Sequence, residues 1–364
     1  MTAALQLFLT LAGVTLLFGC AQANGTMDGA ARHALRLCRG RAALLPIAFF
    51  LMAAALAMIG PGAILATALV APYAMSAGAR AHVPPFLTAL MVGNGANAGN
   101  LSPFSTIGAI VGGLMNAAGL GGHEFRVWAF HAAASTAVEV AAYLLFGGLR
   151  IKGHLAAEAL VVPPIQPHHI ATLAVTGVWI AAVLLLRAPL GLTALGAAAL
   201  LLACRLAPAK ASVRSMPWKV IAMVVTISTA VSLLERAGGL VWFQNAVAAV
   251  ATPATAHAVV AFLTGAISAY SSTSGVVLPA FLPLVPGLAA RLPGVDPLAL
   301  AITVNIGSSL VDVSPLSTIG ALCIASAPAG EGPALFRKLM AWGLSMTFVG
   351  AGFCYLAAPL FSLR

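Results

Sequence analysis

Charge is what this sequence has least of. Its 364 residues include 8 acidic and 18 basic side chains, 7% charged in all against 61% hydrophobic, a balance that excludes an ordinary soluble domain. Mean hydropathy is +1.02, which reads as an all-helical, multi-pass membrane protein. Aromatic residues are also few, at 7%, and the basic side chains lie between apolar runs with no interleaved aromatic platform. Nucleic acid is therefore excluded as a partner, and the positive charge reports orientation in the bilayer instead. The five cysteines, Cys20, Cys38, Cys204, Cys323 and Cys354, have no paired spacing, so neither a metal site nor a disulfide framework is expected. No Walker loop, His/Cys cluster or GxSxG nucleophile motif occurs, which argues against an enzyme and against a resident cofactor.

What the chain does contain is a repeat. GNGANAGNLSPFSTIGA, from Gly93 to Ala109, returns as NIGSSLVDVSPLSTIGA, from Asn305 to Ala321. With Ser102 set on Ser314, Pro103, Ser105, Thr106, Ile107 and Gly108 fall on Pro315, Ser317, Thr318, Ile319 and Gly320. Gly95 then meets Gly307 and Pro85 meets Pro297 without a gap. Each copy is a polar, Gly- and Pro-containing break between short apolar runs. Such breaks at matching positions are the sequence mark of discontinuous membrane helices around a transporter's binding site.

Taken in order, Thr2 to Cys20 predicts a crossing helix, and Asp28 to Arg41 a basic interfacial arm carrying Arg32, Arg36, Arg39 and Arg41. Residues 42–80 are apolar but punctured at Gly60-Pro61-Gly62, as in a re-entrant hairpin. Residues 85–117 hold the first broken helix, and Arg126 to Leu149 a helix with Glu139 inside it. Residues 1–149 thus form a first repeat and the polar stretch 150–168 a linker. Residues 169–364 form a second repeat: two plain helices (Ile170 to Leu206), a crossing (Val220 to Leu234), and an amphipathic arm (Leu240 to Val250). A hairpin over about 257–292, a broken helix over about 297–327 and a last crossing (Arg337 to Leu360) follow. The two extra helices of the second repeat favour a chain start set late relative to its relatives.

With the N-terminus outside and both hairpins re-entrant, Arg32, Arg36, Arg39, Arg41, Arg80, Arg150, Lys152, Arg205, Lys210, Arg214, Lys219, Arg337 and Lys338 fall on the cytoplasmic side. Arg126, Arg187, Arg236, Arg291 and Arg364 fall outside, a partition of 13 to 5 among the 18 basic residues that obeys the positive-inside rule. The same topology inverts one repeat against the other.

Irregular backbone survives in hydrocarbon only where protein or a water-filled cavity receives it. The half-helices starting near Ser105 and Ser317 would point free N–H groups at an anion, and the halves ending near Asn94 and Ile306 would offer carbonyls to a cation. Expected substrate contacts are Asn97, Ser102, Ser105 and Thr106 in the first break, Ser314, Ser317 and Thr318 in the second, and Ser272 and Thr273 at the second hairpin tip. Expected ion-coupling residues are Asn94, Asn100, Ser274, Asn305, Ser308, Ser309 and Asp312. Asp312, the one acid in either break, reads as a Na+ ligand or proton carrier; the plainer alternative is a helix cap. Glu139 divides evenly between a proton relay and a structural bond to Ser135 or Thr136. His131 reads as a satisfied interior histidine.

At these residues the chain resembles the dicarboxylate carriers of the malonate-carrier (MatC) type, in the superfamily that includes divalent anion/Na+ symporters. The stretches that carry the likeness are LTLAGVTLLFGCAQANGTMD (Leu9 to Asp28), LSPFSTIGAIVGG (Leu101 to Gly113) and SSTSGVVLPAFLPL (Ser271 to Leu284). The last is similar to the Ser-Asn-Thr hairpin tip of the symporters, which carries substrate and Na+ contacts, although Ser272-Thr273-Ser274 lacks the Asn. Gly60-Pro61-Gly62 offers no side-chain ligand, which counts against a symmetric two-sodium arrangement. The resemblance implies a secondary active transporter for a small dicarboxylate, malonate or a C4 acid, coupled to Na+ or H+. It would work by elevator-type alternating access in a bacterial-type cytoplasmic membrane, with a homodimer left open as its assembly. The alternative is a cation/proton antiporter of the same superfamily, with Asp312 as the exchanging acid. A channel-like pore or an intramembrane enzyme ranks behind both.

Overall fold

The computed structural model describes residues 3–26, 29, 42–60, 62–151, 164, 166–186, 188–216 and 239–362, with isolated positions between 218 and 237. Every regular element among the described residues is helical. The order is α1 (Ala3–Ala23), α2 (Leu45–Ile59), α3 (Gly62–Arg80), α4 (Pro85–Asn100), α5 (Thr106–Ala117) and α6 (Glu124–Leu145). Then come α7 (Pro167–Leu186), α8 (Leu190–Ala203), α9 (Ala209–Ser215), α10 (Gly239–Val250) and α11 (Ala256–Ser268). A π-helical turn (Thr273–Val277) leads through α12 (Leu278–Phe281) to α13 (Val285–Arg291), α14 (Pro297–Ser309), α15 (Thr318–Ala325) and α16 (Gly332–Phe361). The basic arm after Asp28, most of the linker and the crossing from Val220 lie outside the described residues.

Among the described residues, three continuous helical stretches, Gly62–Arg80, Thr273–Arg291 and Gly332–Phe361, are long and apolar enough to cross a bilayer. Around them the element series hairpin, broken helix, long helix occurs twice. It appears first as α2/α3, α4/α5 and α6, then as α11 to α13, α14/α15 and α16. The elements begin where the sequence dictates. Pro85 and Pro297 each stand in a first turn, where a missing N–H costs nothing. Asp296 caps α14, its carboxylate oxygens accepting from Leu298 N at 3.2 Å and Ala299 N at 3.3 Å. Several boundaries differ from the sequence reading, among them two helix ends: the Glu139 helix stops at Leu145 rather than Leu149, and α8 at Ala203 rather than Leu206. Left-handed backbone explains both, at Gly147 and at Arg205 (φ 85 and φ 54), since neither residue continues a right-handed helix.

Glycine sets the packing of hairpin on broken helix. A Cβ on Gly95 would lie 2.4 Å from Phe50 O and one on Gly99 2.1 Å from Ala54 O, so the backbones of α4 and α2 touch. In the second repeat Gly307, the counterpart of Gly95, holds α14 against α11 in the same way: its Cβ would lie 2.6 Å from Ala261 Cα. With no hydrophobic drive between helices in lipid, this close approach of small residues is what binds them. The half-helices then cross over, α15 packing on α3 and α5 on the arm that follows the second hairpin tip. Both hairpins and both broken helices are thereby locked into one unit.

Candidate functional site

The two breaks are built alike. Each contains a proline, Pro103 or Pro315, that cannot continue a helix, and ends on a serine cap. Ser105 Oγ accepts from Gly108 N at 2.8 Å and donates to the carbonyls of Asn100 and of Ser102, the latter at 2.8 Å. Ser317 Oγ accepts from Gly320 N at 3.3 Å and donates to the carbonyls of Asp312 and of Ser314, the latter again at 2.8 Å. Both hydroxyls are thus committed to closing the loop on itself. Gly108 and Gly320 recur for a related reason, because a Cβ would sit 1.8 Å from Ser102 O and 2.1 Å from Ser314 O. Ser314 Oγ also donates to Ala269 O at 3.0 Å, and Ser102 Oγ accepts from Phe104 N at 3.3 Å. Of the serines expected to meet substrate in the breaks, all four serve the backbone.

The hairpin tips meet the breaks differently. At the first tip, Gly60 O accepts from Thr106 N at 3.0 Å and Ala63 N donates to Asn100 Oδ1 at 2.8 Å. Gly62, with φ +77, makes the turn, and a Cβ there would press on Ile107 and Asn100. The helix end of α5 is therefore occupied by a protein carbonyl, and Thr106 is buried. At the second tip, Asp312 takes the place of Asn100 and its carboxyl faces the backbone N–H and hydroxyl of Thr273. That hydroxyl lies 2.5 Å from Ser268 Oγ and 3.3 Å from Ser308 O. No carbonyl of this tip reaches Thr318, which is exposed, as is Leu316 beside it. Ser272 caps the π-helical turn by accepting from Gly275 N at 3.1 Å and stays half-buried. One helix end is sealed and its counterpart is free.

Between the breaks lies a buried polar layer. Asn97 Nδ2 donates to Ser309 O at 3.1 Å, joining positions that match in the two repeats. His131 Nε2 lies 2.8 Å from Asn97 O, and Asn94 Nδ2 donates to Glu139 Oε2 at 2.6 Å. Asn305 Nδ2 and Ser308 Oγ bond back into their own helix, at Ala301 O and Val304 O. The oxygens Asn94 Oδ1, Asn97 Oδ1, Asn305 Oδ1, Ser309 Oγ, Ser135 Oγ and Glu139 Oε1 have no hydrogen-bond partner in the protein, nor has His131 Nδ1. Buried polar atoms are rarely left so, and a cluster of them marks a place for water, ion or ligand.

Of the expected residues, Asn94, Asn97, Asn305, Ser308 and Ser309 belong to this layer, and α6 adds His131, Ser135 and Glu139. Glu139 bonds Asn94 rather than Ser135 or Thr136, because Ser135 faces the layer unpaired while Thr136 is exposed. His131, Ser135 and Glu139 stand four residues apart on one stripe of α6, a spacing that could have flagged them together. Ser274 is buried beside the tip. The cavity of about 610 Å³ between Asn24, His168, Arg205 and Pro208 shares no residue with either break.

Residues 3–100 match the family model described as the dicarboxylate carrier protein MatC N-terminus. In structure, 98% of the chain aligns with 86% of the YdaH transporter of Alcanivorax borkumensis, with a TM-score of 0.64 and 16% sequence identity; that crystal structure is described as revealing an unusual topology. The chain has the fold of a membrane transporter. No curated protein matches it in sequence. The matched family is described as a carrier and the matched structure as a transporter.

Proposed function

We propose that the protein is a secondary active carrier for a small dicarboxylate, malonate or a C4 acid, in a bacterial cytoplasmic membrane. It would use inverted repeats whose hairpins and broken helices move as one body, as in an elevator. The observation that carries the reading is the unequal pair of helix ends. Thr106 N–H is taken by Gly60 O, whereas the start of α15 at Thr318 is exposed and has no backbone acceptor among the described residues. A free helix N-terminus with hydroxyls near it is a site for a carboxylate that needs no buried Arg. Ser272 and Ser274, on the tip that docks against this break, are the hydroxyls best placed to close over the anion. The MatC-type N-terminal region supports a dicarboxylate as that anion. Thermal stability of the detergent-purified protein tests the reading: malonate or succinate should raise the melting temperature saturably, and acetate should not. Equal shifts with mono- and dicarboxylates would refute it.

Orientation is tested separately. Lys210 and Arg214 belong to α9, where Ala211 is exposed, and the positive-inside rule puts this helix in the cytoplasm. In a cysteine-free background, Ala211→Cys should resist an impermeant thiol reagent in right-side-out vesicles and react in inverted ones. The reverse pattern would overturn the inverted-repeat topology.

A further inference from the structure

Glu139 is 2% exposed, within the continuous helix α6. Its carboxyl has one partner, Asn94 Nδ2 at 2.6 Å on Oε2, and Oε1 has none. Among the described residues no cation is bonded to it. The helices α4, α5 and α14 packed against α6 contain no titratable side chain, while α16, which meets Arg126 and Phe130 through Phe361 and Phe146 through Trp342, carries Arg337, Lys338, Cys354 and Tyr355. The turn at 148–150 brings Arg150, which is exposed and eleven residues along the chain. On α6 itself, Glu124 and Arg126 lie at the far end and Arg126 bonds Phe361 O, while Tyr143 Oη reaches toward Ala43 O at 3.5 Å. His131, two turns away, is turned to Asn97 O. An isolated buried carboxylate is costly enough that it must be neutralised by a bound cation or by a proton.

The ligand geometry decides between them. A Na+ ion needs several oxygens, typically backbone carbonyls freed where a helix unwinds, and α4 and α6 are unbroken at Asn94 and Glu139. The unpaired oxygens on Glu139's bonded partner and one turn back on α6 are Asn94 Oδ1 and Ser135 Oγ. That set is too sparse for an alkali ion, but it suits a protonated carboxyl donating to one acceptor. Asp312 is placed otherwise: its carboxyl faces the Thr273 N–H and hydroxyl and lies at the break, where a charge is met by dipoles. From Glu139 the unpaired atoms of Ser135 and His131 lead along α6 to Asn97, whose amide touches Ser309 at the second break.

We propose that Glu139 is the proton-carrying group of the carrier, protonated in step with dicarboxylate binding at the second break. This rests on the carrier reading above, and the two fail separately. In proteoliposomes, the wild type should accumulate labelled malonate or succinate under an inward proton gradient. Glu139→Gln should keep anion counterflow but lose accumulation at least tenfold. Infrared spectra of the purified protein give a readout that needs no substrate: a protonated-carboxyl C=O band that titrates with pH and is missing in Glu139→Gln. Wild-type protein with that band but without any counterflow would refute the carrier and leave the protonated Glu139 standing. Accumulation retained in Glu139→Gln, accumulation driven by a Na+ gradient alone, or an unchanged carboxyl band in that variant would each overturn the assignment.

Discussion

Thr318→Pro should abolish tight dicarboxylate binding while leaving the protein folded. Thr318 is the first residue of α15, the position where a helix accepts proline, because the N–H it removes has no intrahelical partner. Ser317 before it has φ -81 and ψ 162, the extended conformation that a following proline requires. The substitution therefore deletes one backbone N–H and one hydroxyl from the proposed anion site and little else. A hydrogen bond to a charged group is worth roughly 1.5–3 kcal/mol, so the dissociation constant should rise roughly 10- to 100-fold. Thr106→Pro at the matching site removes the N–H that holds Gly60 O at 3.0 Å. It should lower the melting temperature instead, because the first hairpin tip loses its anchor. Equal effects of the two variants on affinity would show that the repeats share the anion symmetrically, against the unequal helix ends.

Gly99→Val should be among the single substitutions most damaging to the fold. The added Cβ would meet Ala54 O at 2.1 Å and Met58 N at 2.6 Å. Both are backbone atoms, so no side chain can rotate away and α2 must shift bodily from α4. Overpacking of this kind costs up to about 3 kcal/mol, or more where nothing can yield. That is a large share of a typical protein's total stability. Loss of a monodisperse peak in detergent is the expected result. Gly177, in α7, is the contrast: nothing lies within 4 Å of a Cβ there. Gly177→Ala should be neutral or stabilising by up to ~1 kcal/mol, since alanine restricts the unfolded chain and favours the helix.

Much of this architecture could be read from residue patterns. The duplicated Ser-Pro-x-Ser-Thr-Ile-Gly motif located the starts of α5 and α15 at Ser105 and Ser317, because a capping serine acts locally, whereas the first halves run on past Asn94 and Ile306 to Asn100 and Ser309. Gly60-Pro61-Gly62 marked the first tip for the same reason. What the chain did not disclose depends on which backbone reaches which end. Ser105 and Ser317 looked like ligands, since a hydroxyl at a break can turn either to substrate or to its own loop, and composition is silent on that choice. The sealing of Thr106 by Gly60 O, and the exposure of Thr318, arise from tertiary docking of two tips with different sequences. Glu139 was visible as an intramembrane acid, but its partner Asn94 lies 45 residues away on another helix. Only the fold brings that pair together.

Counterflow in proteoliposomes tests the carrier claim most directly. With unlabelled malonate or succinate inside, uptake of the labelled dicarboxylate should be saturable and faster than into empty vesicles, and internal acetate should not substitute. Uptake that rises without saturation and ignores the internal anion would contradict a carrier and indicate a pore.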